Sequence, residues 1–394
     1  MEGPEQHLNE SVVIRSLRRF RDRYFPSRGE APPAREADES WFGLLDFLPV
    51  DVQFLIMTFL SPVDICRLGA TSRYWKAMVK DPLLWRYFLL RDMPFWPSID
   101  HMTMPQLEYL HVPLSSEDES LDDGEQGVDE EKMTKHDYMA EYLKGCPSCR
   151  HQWLPSRPRY EIVTSFLQSL VASYEPRYAM FGSGIEQLDV SLVTKLMHSP
   201  DVLPVSGTPH RQVNGIGSGI SYMFNNQHRF NILTLYSTNK AERDRAKVQQ
   251  QSTNSKLFTA EGKDQSGHPI FSPAPQVQQV CQVVDGFIYV ANAEPGRAGD
   301  WEVEAAQIRA VLSSAWGSTS RPLVVLSCIS REEPQSDRIT RNRARCRSPC
   351  VEMAKKLDLP QLTNPWMVQD TVAESLFGLL DGISWLLRCS GVKL

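Results

Sequence analysis

Three prolines that each suit the start of a helix divide residues 48–89 into short segments. Pro49, Pro62 and Pro82 lack a backbone N–H, and the first turn of a helix is where that missing donor costs nothing. Ser61, directly before Pro62, is a side chain that commonly caps a helix N-terminus. The stretch therefore predicts a few short helices joined by tight turns.

The first of these helices carries more apolar surface than a small unit can bury. A unit of about 40 residues cannot usually enclose two apolar faces of one helix within itself. Either the helix lies deep inside a larger domain, or it covers its second face with another protein. The side chains are Val52, Leu55, Ile56, Phe59 and Leu60 on one stripe at helical spacing, with Val50, Phe54 and Met57 off that stripe.

The same stretch resembles an F-box. The residues that carry the resemblance at fixed spacings are Leu48-Pro49, Ile56, Leu60, Asp64-Ile65, Leu68, Ser72, Trp75, Asp81-Pro82 and Leu84-Trp85-Arg86, with Ile65 standing where the usual pattern has Leu. F-box modules dock on the small adaptor subunit of cullin-type ubiquitin ligases, so the resemblance implies that adaptor and, through it, the cullin scaffold as partners. The adaptor contacts we expect are Leu48, Pro49, Val52, Ile56, Leu60, Leu68, Trp85 and Leu89.

Composition narrows the class of protein. The 394 residues allow two or three domains, and a net charge of −6 gives no support to nucleic acid as a main partner. No apolar run approaches the length of a membrane span, and the first residues lack the pattern of a secretory signal. Several of the eight cysteines lie in apolar segments, which indicates reduced thiols. We expect a cytoplasmic location, with the nucleus as a second one, and no membrane partner.

Four regions follow from changes in composition. Residues 1–40 form an N-terminal segment, partly disordered, with a basic helix at 11–25 that either packs on the F-box or mediates self-association as a homodimer. Residues 41–92 form the F-box. Residues 93–159 read as a helical linker that includes an acidic loop at 115–131, either a disordered spacer or a target of acid-directed phosphorylation. Residues 160–394 have the alternating strand and helix patterns of an α/β domain.

The α/β region alternates short apolar runs with amphipathic segments. A hairpin is expected around Asn225 and Asn226, and the remaining strands are separated by helices, as parallel βαβ units require. This order resembles a small-GTPase fold, so the predicted fold class is a helical F-box and linker followed by a GTPase-like α/β domain. The expected strands are 177–181, 220–224, 230–236, 286–291, 323–329 and 366–369, and the expected helices are 161–173, 187–197, 301–315, 349–357 and 373–387.

The nucleotide site of that fold is not expected here. The turn at 182–187 has glycines but no Lys and no Ser/Thr where a phosphate loop needs them, and Glu186 would repel phosphate. Residues 237–240 lack Asp-x-x-Gly, residues 330–333 lack Asn-Lys-x-Asp, and the glycine run 215–219 reads as a loop. A GTPase-like fold that lacks the nucleotide-binding residues does not indicate GTPase activity. We therefore predict a non-catalytic protein without a nucleotide cofactor.

No other cofactor is indicated. Cys146 and Cys149 have metal-type spacing, but the second close pair that zinc would need is supplied only by Cys346 and Cys350, at the wrong spacing. Two free cysteines in a loop are favoured over a metal site. The histidines show no arrangement with a nucleophile that would indicate catalysis.

Four stretches, one in the F-box and three in the α/β region, carry a resemblance to a family of F-box substrate receptors with a GTPase-like domain. The resemblance implies a substrate-recognition subunit of an SCF-type ubiquitin ligase, with a telomere-repeat-binding factor and D-type cyclins among its clients. A GTPase-like nucleotide regulator and an adaptor that presents no client are the alternatives. The stretches that carry this likeness are residues 85–92, 230–233, 284–293 and 326–330.

The helix expected at 349–357 has an apolar stripe with small residues one turn apart. That stripe either faces the sheet or forms a shallow client pocket, and the resemblance implies the pocket. The expected client contacts are Cys350, Ala354 and Leu357, with Arg345 and Arg347 at the rim.

Overall fold

The computed structural model describes residues 44–111, 136–149, 175–207, 217–236, 256–263, 265, 267–296, 300–315, 320–332, 347–392 and 394. The chain divides into two compact units, Met1–Met93 with Pro105–Arg150, and Pro94–Met104 with His151–Leu394. Residues 94–104, assigned above to a helical linker, thus belong to the second unit. The helices expected at 11–25 and 161–173, the acidic loop at 115–131, and Arg345 lie outside the described residues.

The first unit consists of short helices. They are α1 (Val50–Phe59), α2 (Pro62–Gly69), α3 (Arg73–Val79), α4 (Pro82–Asp92), α5 (Leu107–His111) and α6 (Tyr138–Gly145), with a 3-10 turn at Leu44–Phe47 before α1. Two of the three predicted proline positions are confirmed, because Pro62 and Pro82 stand in first turns, and the Ser61 hydroxyl accepts the N–H of Asp64. Pro49 instead stands at the N-cap, one position before α1 begins. Ser72 and Asp81 cap α3 and α4 in the same manner.

Aromatic side chains fill the core of this unit. Trp85 of α4 lies 5.7 Å from Phe88 and 5.5 Å from Tyr142 between ring centroids, and all three side chains are buried. Arg91 fastens α4 to the end of α1 through a 2.6 Å hydrogen bond to the carbonyl of Thr58. Helix α6, which contributes Tyr142, therefore packs into the same core as the F-box helices.

The second unit is built on an eight-stranded mixed sheet in the order β1-β10-β9-β8-β2-β5-β4-β3. Its strands are β1 (Ser98–Asp100), β2 (Arg177–Phe181), β3 (Val205–Gly207), β4 (Gly217–Phe224), β5 (His228–Leu235), β8 (Gly286–Asn292), β9 (Leu323–Ile329) and β10 (Trp366–Val372). Strands β6 (Phe258–Lys263) and β7 (Pro269–Pro273) form a separate two-stranded ribbon. The helices are α7 (Gly184–Gln187), α8 (Leu192–His198), α9 (Pro275–Val283), α10 (Trp301–Ser313), α11 (Cys350–Lys356) and α12 (Leu379–Cys389).

The sheet has the topology that the small-GTPase resemblance implies. Strand β2 lies centrally, the β4–β5 hairpin lies to one side of it, and β8, β9 and β10 step outward in parallel on the other side. The predicted hairpin is confirmed, with Asn225 and Asn226 both at positive φ in its turn. The chain therefore combines an all-helical unit with a GTPase-like α/β unit.

Two predicted helices begin later than expected. Helix α8 begins at Leu192 rather than 187, because the Ser191 hydroxyl caps it by accepting the N–H of Thr194. Helix α12 begins at Leu379 rather than 373, because residues 373–378 form a turn with Leu376 at φ 57° and Gly378 at φ 77°. A Cβ at Gly378 would collide with the carbonyl oxygen of Asp370, so this turn requires glycine.

Candidate functional site

Helix α1 has two apolar faces, and only one of them is covered. Phe54 and Met57 point into the core and are at most 1% exposed. On the other side Val52, Leu55 and Phe59 are exposed at helical spacing, and Phe59 shows 81% of its surface to solvent. Exposed apolar side chains in one stripe typically mark a surface that binds another molecule.

Exposed apolar side chains also occur on the segments directly before and after α1. Phe47, in the turn before the helix, is 75% exposed, and Val63 at the start of α2 is also exposed. We call the set Leu45, Phe47, Val52, Leu55, Phe59 and Val63 the apolar surface.

Part of the predicted adaptor set lies at the surface of the unit. Pro49 and Val52 are exposed, and Leu48, Ile56, Leu60 and Leu68 are partly exposed. The predicted adaptor set leaves out Leu55 and Phe59, although both are exposed and follow Val52 at the i+3 and i+7 positions of one helix face. Direct adaptor contact by the exposed residues stays a prediction.

Trp85 and Leu89 require a correction. Both are 0% exposed, and the indole N–H of Trp85 donates to the carbonyl of Val79 at 2.6 Å. Neither side chain can reach a partner in this conformation, so their predicted direct contact with the adaptor is wrong. Both side chains instead pack in the core of the unit. The prediction failed because the F-box spacing identifies these positions without showing which way their side chains face.

Charged and polar groups flank the apolar surface at the start of α2. Hydrogen bonds from the Ser61 hydroxyl and the Arg67 guanidinium lower the pKa of the Asp64 carboxyl. In the core of the unit, burial and the hydrogen bond to Asp92 raise the pKa of Tyr142, so its hydroxyl stays protonated and donates.

The predicted client pocket on α11 also requires a correction. Cys350, Ala354 and Leu357 are each at most 1% exposed, so the stripe faces the sheet. The Cys350 thiol donates to the carboxylate of Asp370 at 3.1 Å, and Arg347 forms a 2.9 Å ion pair with the same carboxylate. Arg347 additionally donates to the carbonyl of Ser327. Arg347 is therefore a buried structural cation rather than the rim of a pocket.

The glycines after β2 allow the following turn to pack closely against β8. A Cβ on Gly182 would lie 2.5 Å from the carbonyl oxygen of Val290, and one on Gly184 would lie 2.9 Å from a methyl group of the same valine. Ile185 and Leu188, which follow, are buried in the domain core. The glycines thus let the turn approach β8 instead of shaping a loop around phosphate.

Hydrogen bonds between loops occupy the carboxyl end of the sheet, where open α/β sheets bind ligands. The hydroxyl of Ser330 accepts the N–H groups of Asp189 at 3.1 Å and Val190 at 3.4 Å. The N–H of Ser330 donates to the carboxylate of Glu294 at 3.0 Å, and its carbonyl accepts the N–H of Glu374. The polar groups of these loops are thus hydrogen-bonded to one another.

The cysteine pair lies at the end of α6. The N–H of Cys149 donates to the carbonyl of Cys146 at 3.0 Å, which closes a turn, and burial raises the pKa of the Cys149 thiol. Within the described ranges, no three metal-type side chains gather into a site that could hold an ion. In the same part of the chain, no helix has both the length and the apolar character of a membrane span.

Comparisons with known proteins agree with this organisation. A family model described as F-box-like matches residues 45–91. F-box only protein 4 from Mus musculus is 46% identical over 381 residues, which cover 96% of this chain and 92% of the relative. The same protein from Bos taurus is 49% identical over 357 residues, covering 90% of this chain and 86% of the relative.

A solved structure of the small GTPase Arl6 from Trypanosoma brucei, with a bound nucleotide analogue, aligns to 55% of this chain and 98% of its own. The TM-score of 0.32 and the identity of 13% are low, so the fold assignment rests on strand order instead.

The fold and the matched region define an F-box protein whose second unit is a GTPase-like α/β domain. This class implies a substrate-receptor role in an SCF ubiquitin ligase, through binding to the adaptor and cullin. At this identity and coverage, the chain belongs to the F-box only protein 4 family.

Proposed function

We propose that this chain is the substrate-recognition subunit of an SCF-type ubiquitin ligase and has no catalytic activity of its own. Its apolar surface binds the adaptor subunit, which joins it to the cullin. The observation that carries the proposal is the second, uncovered face of α1, with Phe59 81% exposed in a region that matches the F-box model.

Burial of apolar side chains favours a bound partner on this face. Fully burying an exposed Phe side chain contributes about 1.5–3 kcal/mol, and Phe47 and Phe59 are mostly exposed. Leu45, Val52, Leu55 and Val63 are already more than half buried, so covering them contributes less. Aromatic side chains that become fully covered commonly dominate a protein interface. Phe47 and Phe59 are therefore the expected anchors of adaptor binding.

The client side of the proposal rests on family resemblance. The clients proposed are a telomere-repeat-binding factor and D-type cyclins, recruited for ubiquitination and proteasomal degradation. Self-association of the receptor and a location in the cytoplasm and nucleus belong to the same proposal. Because Cys350, Ala354 and Leu357 are buried, the client contacts are proposed to lie elsewhere on the GTPase-like unit.

The proposal is tested by comparing the wild-type chain with Phe59→Asp in cells. The wild type should co-purify with adaptor and cullin, and its expression should lower client levels. Phe59→Asp should lose adaptor and cullin and leave the clients stable, because it places a charge where a covered aromatic is needed. Phe377→Asp is a matched control, since Phe377 is an exposed phenylalanine of the second unit. Equal adaptor recovery by all three proteins would overturn the proposal.

A further inference from the structure

Two polar side chains, Gln53 and Thr58, lie on the buried face of α1. The Thr58 hydroxyl donates to the carbonyl of Leu55 within the same helix, so only Gln53 needs partners from other segments. Gln53 is 1% exposed and belongs to the same helix face as Phe54 and Met57, which fill the core of the first unit. A buried primary amide has two N–H donors and one carbonyl acceptor that must find partners within the protein. The hydrogen-bond partners of Gln53 therefore indicate the structural role of this buried polar side chain.

The Gln53 side chain uses both of its N–H donors and its carbonyl oxygen on two other segments. Its Nε2 donates to the carbonyl of Leu45 at 2.8 Å and to the carbonyl of Leu48 at 3.0 Å. Its Oε1 accepts the hydroxyl of Tyr74 at 2.5 Å. Since carbonyl oxygens can only accept, these contacts also fix the orientation of the amide. Gln53 thus joins the turn before α1 to helix α3.

The turn held in this way carries half of the exposed aromatic anchors. Phe47 lies between the two carbonyls that Gln53 binds, and its side chain is 75% exposed. The turn has little regular structure of its own, being a single 3-10 turn in which Leu48 donates to Leu45 at 3.3 Å. Hydrogen bonds to a buried amide are therefore well placed to keep this turn in one conformation.

We propose that Gln53 and Tyr74 are positioning residues, which fix the turn bearing Phe47 so that it is already ordered when the adaptor binds. The inference rests on the proposed adaptor-binding function. Ordering a flexible segment at an interface costs free energy that reduces affinity, and a segment ordered in advance avoids that cost. Gln53 and Tyr74 act through the Phe47 turn.

The first experiment removes only the Tyr74 hydroxyl. In the full chain, Tyr74→Phe should weaken adaptor binding about three- to tenfold, the usual worth of one internal hydrogen bond. Hydrogen exchange of the free protein should become faster at the amides of residues 45–48. Tyr87→Phe makes the same chemical change on α4 and should alter neither quantity. Gln53→Met keeps the length of the side chain but loses all three hydrogen bonds, so it should weaken adaptor binding further.

A double-mutant cycle with Phe47→Ala separates positioning from a general loss of stability. Once Phe47 is removed, ordering its turn gains little, so Tyr74→Phe should weaken binding much less than it does in the wild-type background. Full multiplication of the two losses would overturn the inference, as would unchanged exchange at residues 45–48 in Tyr74→Phe. Failure of the wild type to bind adaptor would instead overturn the proposed function, and the exchange measurement on free protein would still decide whether the hydrogen bonds order the turn.

Discussion

Tyr142 donates a 2.7 Å hydrogen bond to the carboxylate of Asp92 and thereby joins the helix after the F-box to the last F-box helix. The two residues are 50 positions apart in the chain. The ring of Tyr142 also lies against Trp85 and Phe88, so the contact combines apolar burial with a charge-assisted hydrogen bond. The helix α6 is thus an integral part of the F-box unit.

Removing this hydroxyl should destabilise the first unit. We expect Tyr142→Phe to lower its free energy of unfolding by about 1 kcal/mol, because Asp92 keeps its partner Arg91 and loses only one donor. Native-state hydrogen exchange of α4 and α6 amides measures the change, with amides of the α/β sheet as internal reference. Unchanged protection of α4 and α6 would show that the hydrogen bond contributes nothing.

Arg347 should behave as a structural residue. Its replacement by Met leaves Asp370 buried without its cation, which typically costs about 3–5 kcal/mol, so the α/β unit should melt at a clearly lower temperature. The double variant Arg347→Met with Asp370→Asn should recover much of the loss, since no unpaired charge remains. A normal melting temperature for Arg347→Met, combined with lost client binding, would restore Arg347 to a recognition role.

Guanine nucleotides should leave the α/β unit unaffected. A ligand that binds only the native state must raise its stability, and the loops at the carboxyl end of the sheet are hydrogen-bonded to one another. We expect the same melting temperature with and without millimolar GTP and Mg²⁺. A saturable rise would show that the turn at Gly182 does accept phosphate.

The buried thiols should be unreactive in the native protein. Burial raises the pKa of Cys281 and of Cys328 to about 12, so at about pH 8 almost none of either is the thiolate that reacts with alkylating agents. Iodoacetamide should label exposed Cys66 and Cys389 first, and Cys281 and Cys328 only after unfolding. Mass spectrometry of the labelled peptides reads the order directly, and early labelling of Cys328 would contradict it.

The sequence predicted features that depend on local chemistry, but it did not predict which side chains face the core. Asn225 and Asn226 between apolar runs predicted the hairpin, because the turn chemistry is local. Strand β1 was missed because Ser98–Asp100 is too short for a periodic signal and its place depends on pairing with β10. Spacing grouped Cys350 with Ala354, but it could not show that the sheet covers them. In the same way, Trp85 was recognised as an F-box residue without any indication that it points inward.

The dissociation constant of the purified adaptor tests whether the uncovered face of α1 binds the SCF adaptor. We predict saturable binding to the wild-type chain, an affinity at least about 30-fold weaker for Phe59→Asp, and wild-type affinity for Phe377→Asp. Circular dichroism should show that both variants keep their fold, since both replaced side chains are exposed. Wild-type affinity in a folded Phe59→Asp protein would show that this face does not bind the adaptor.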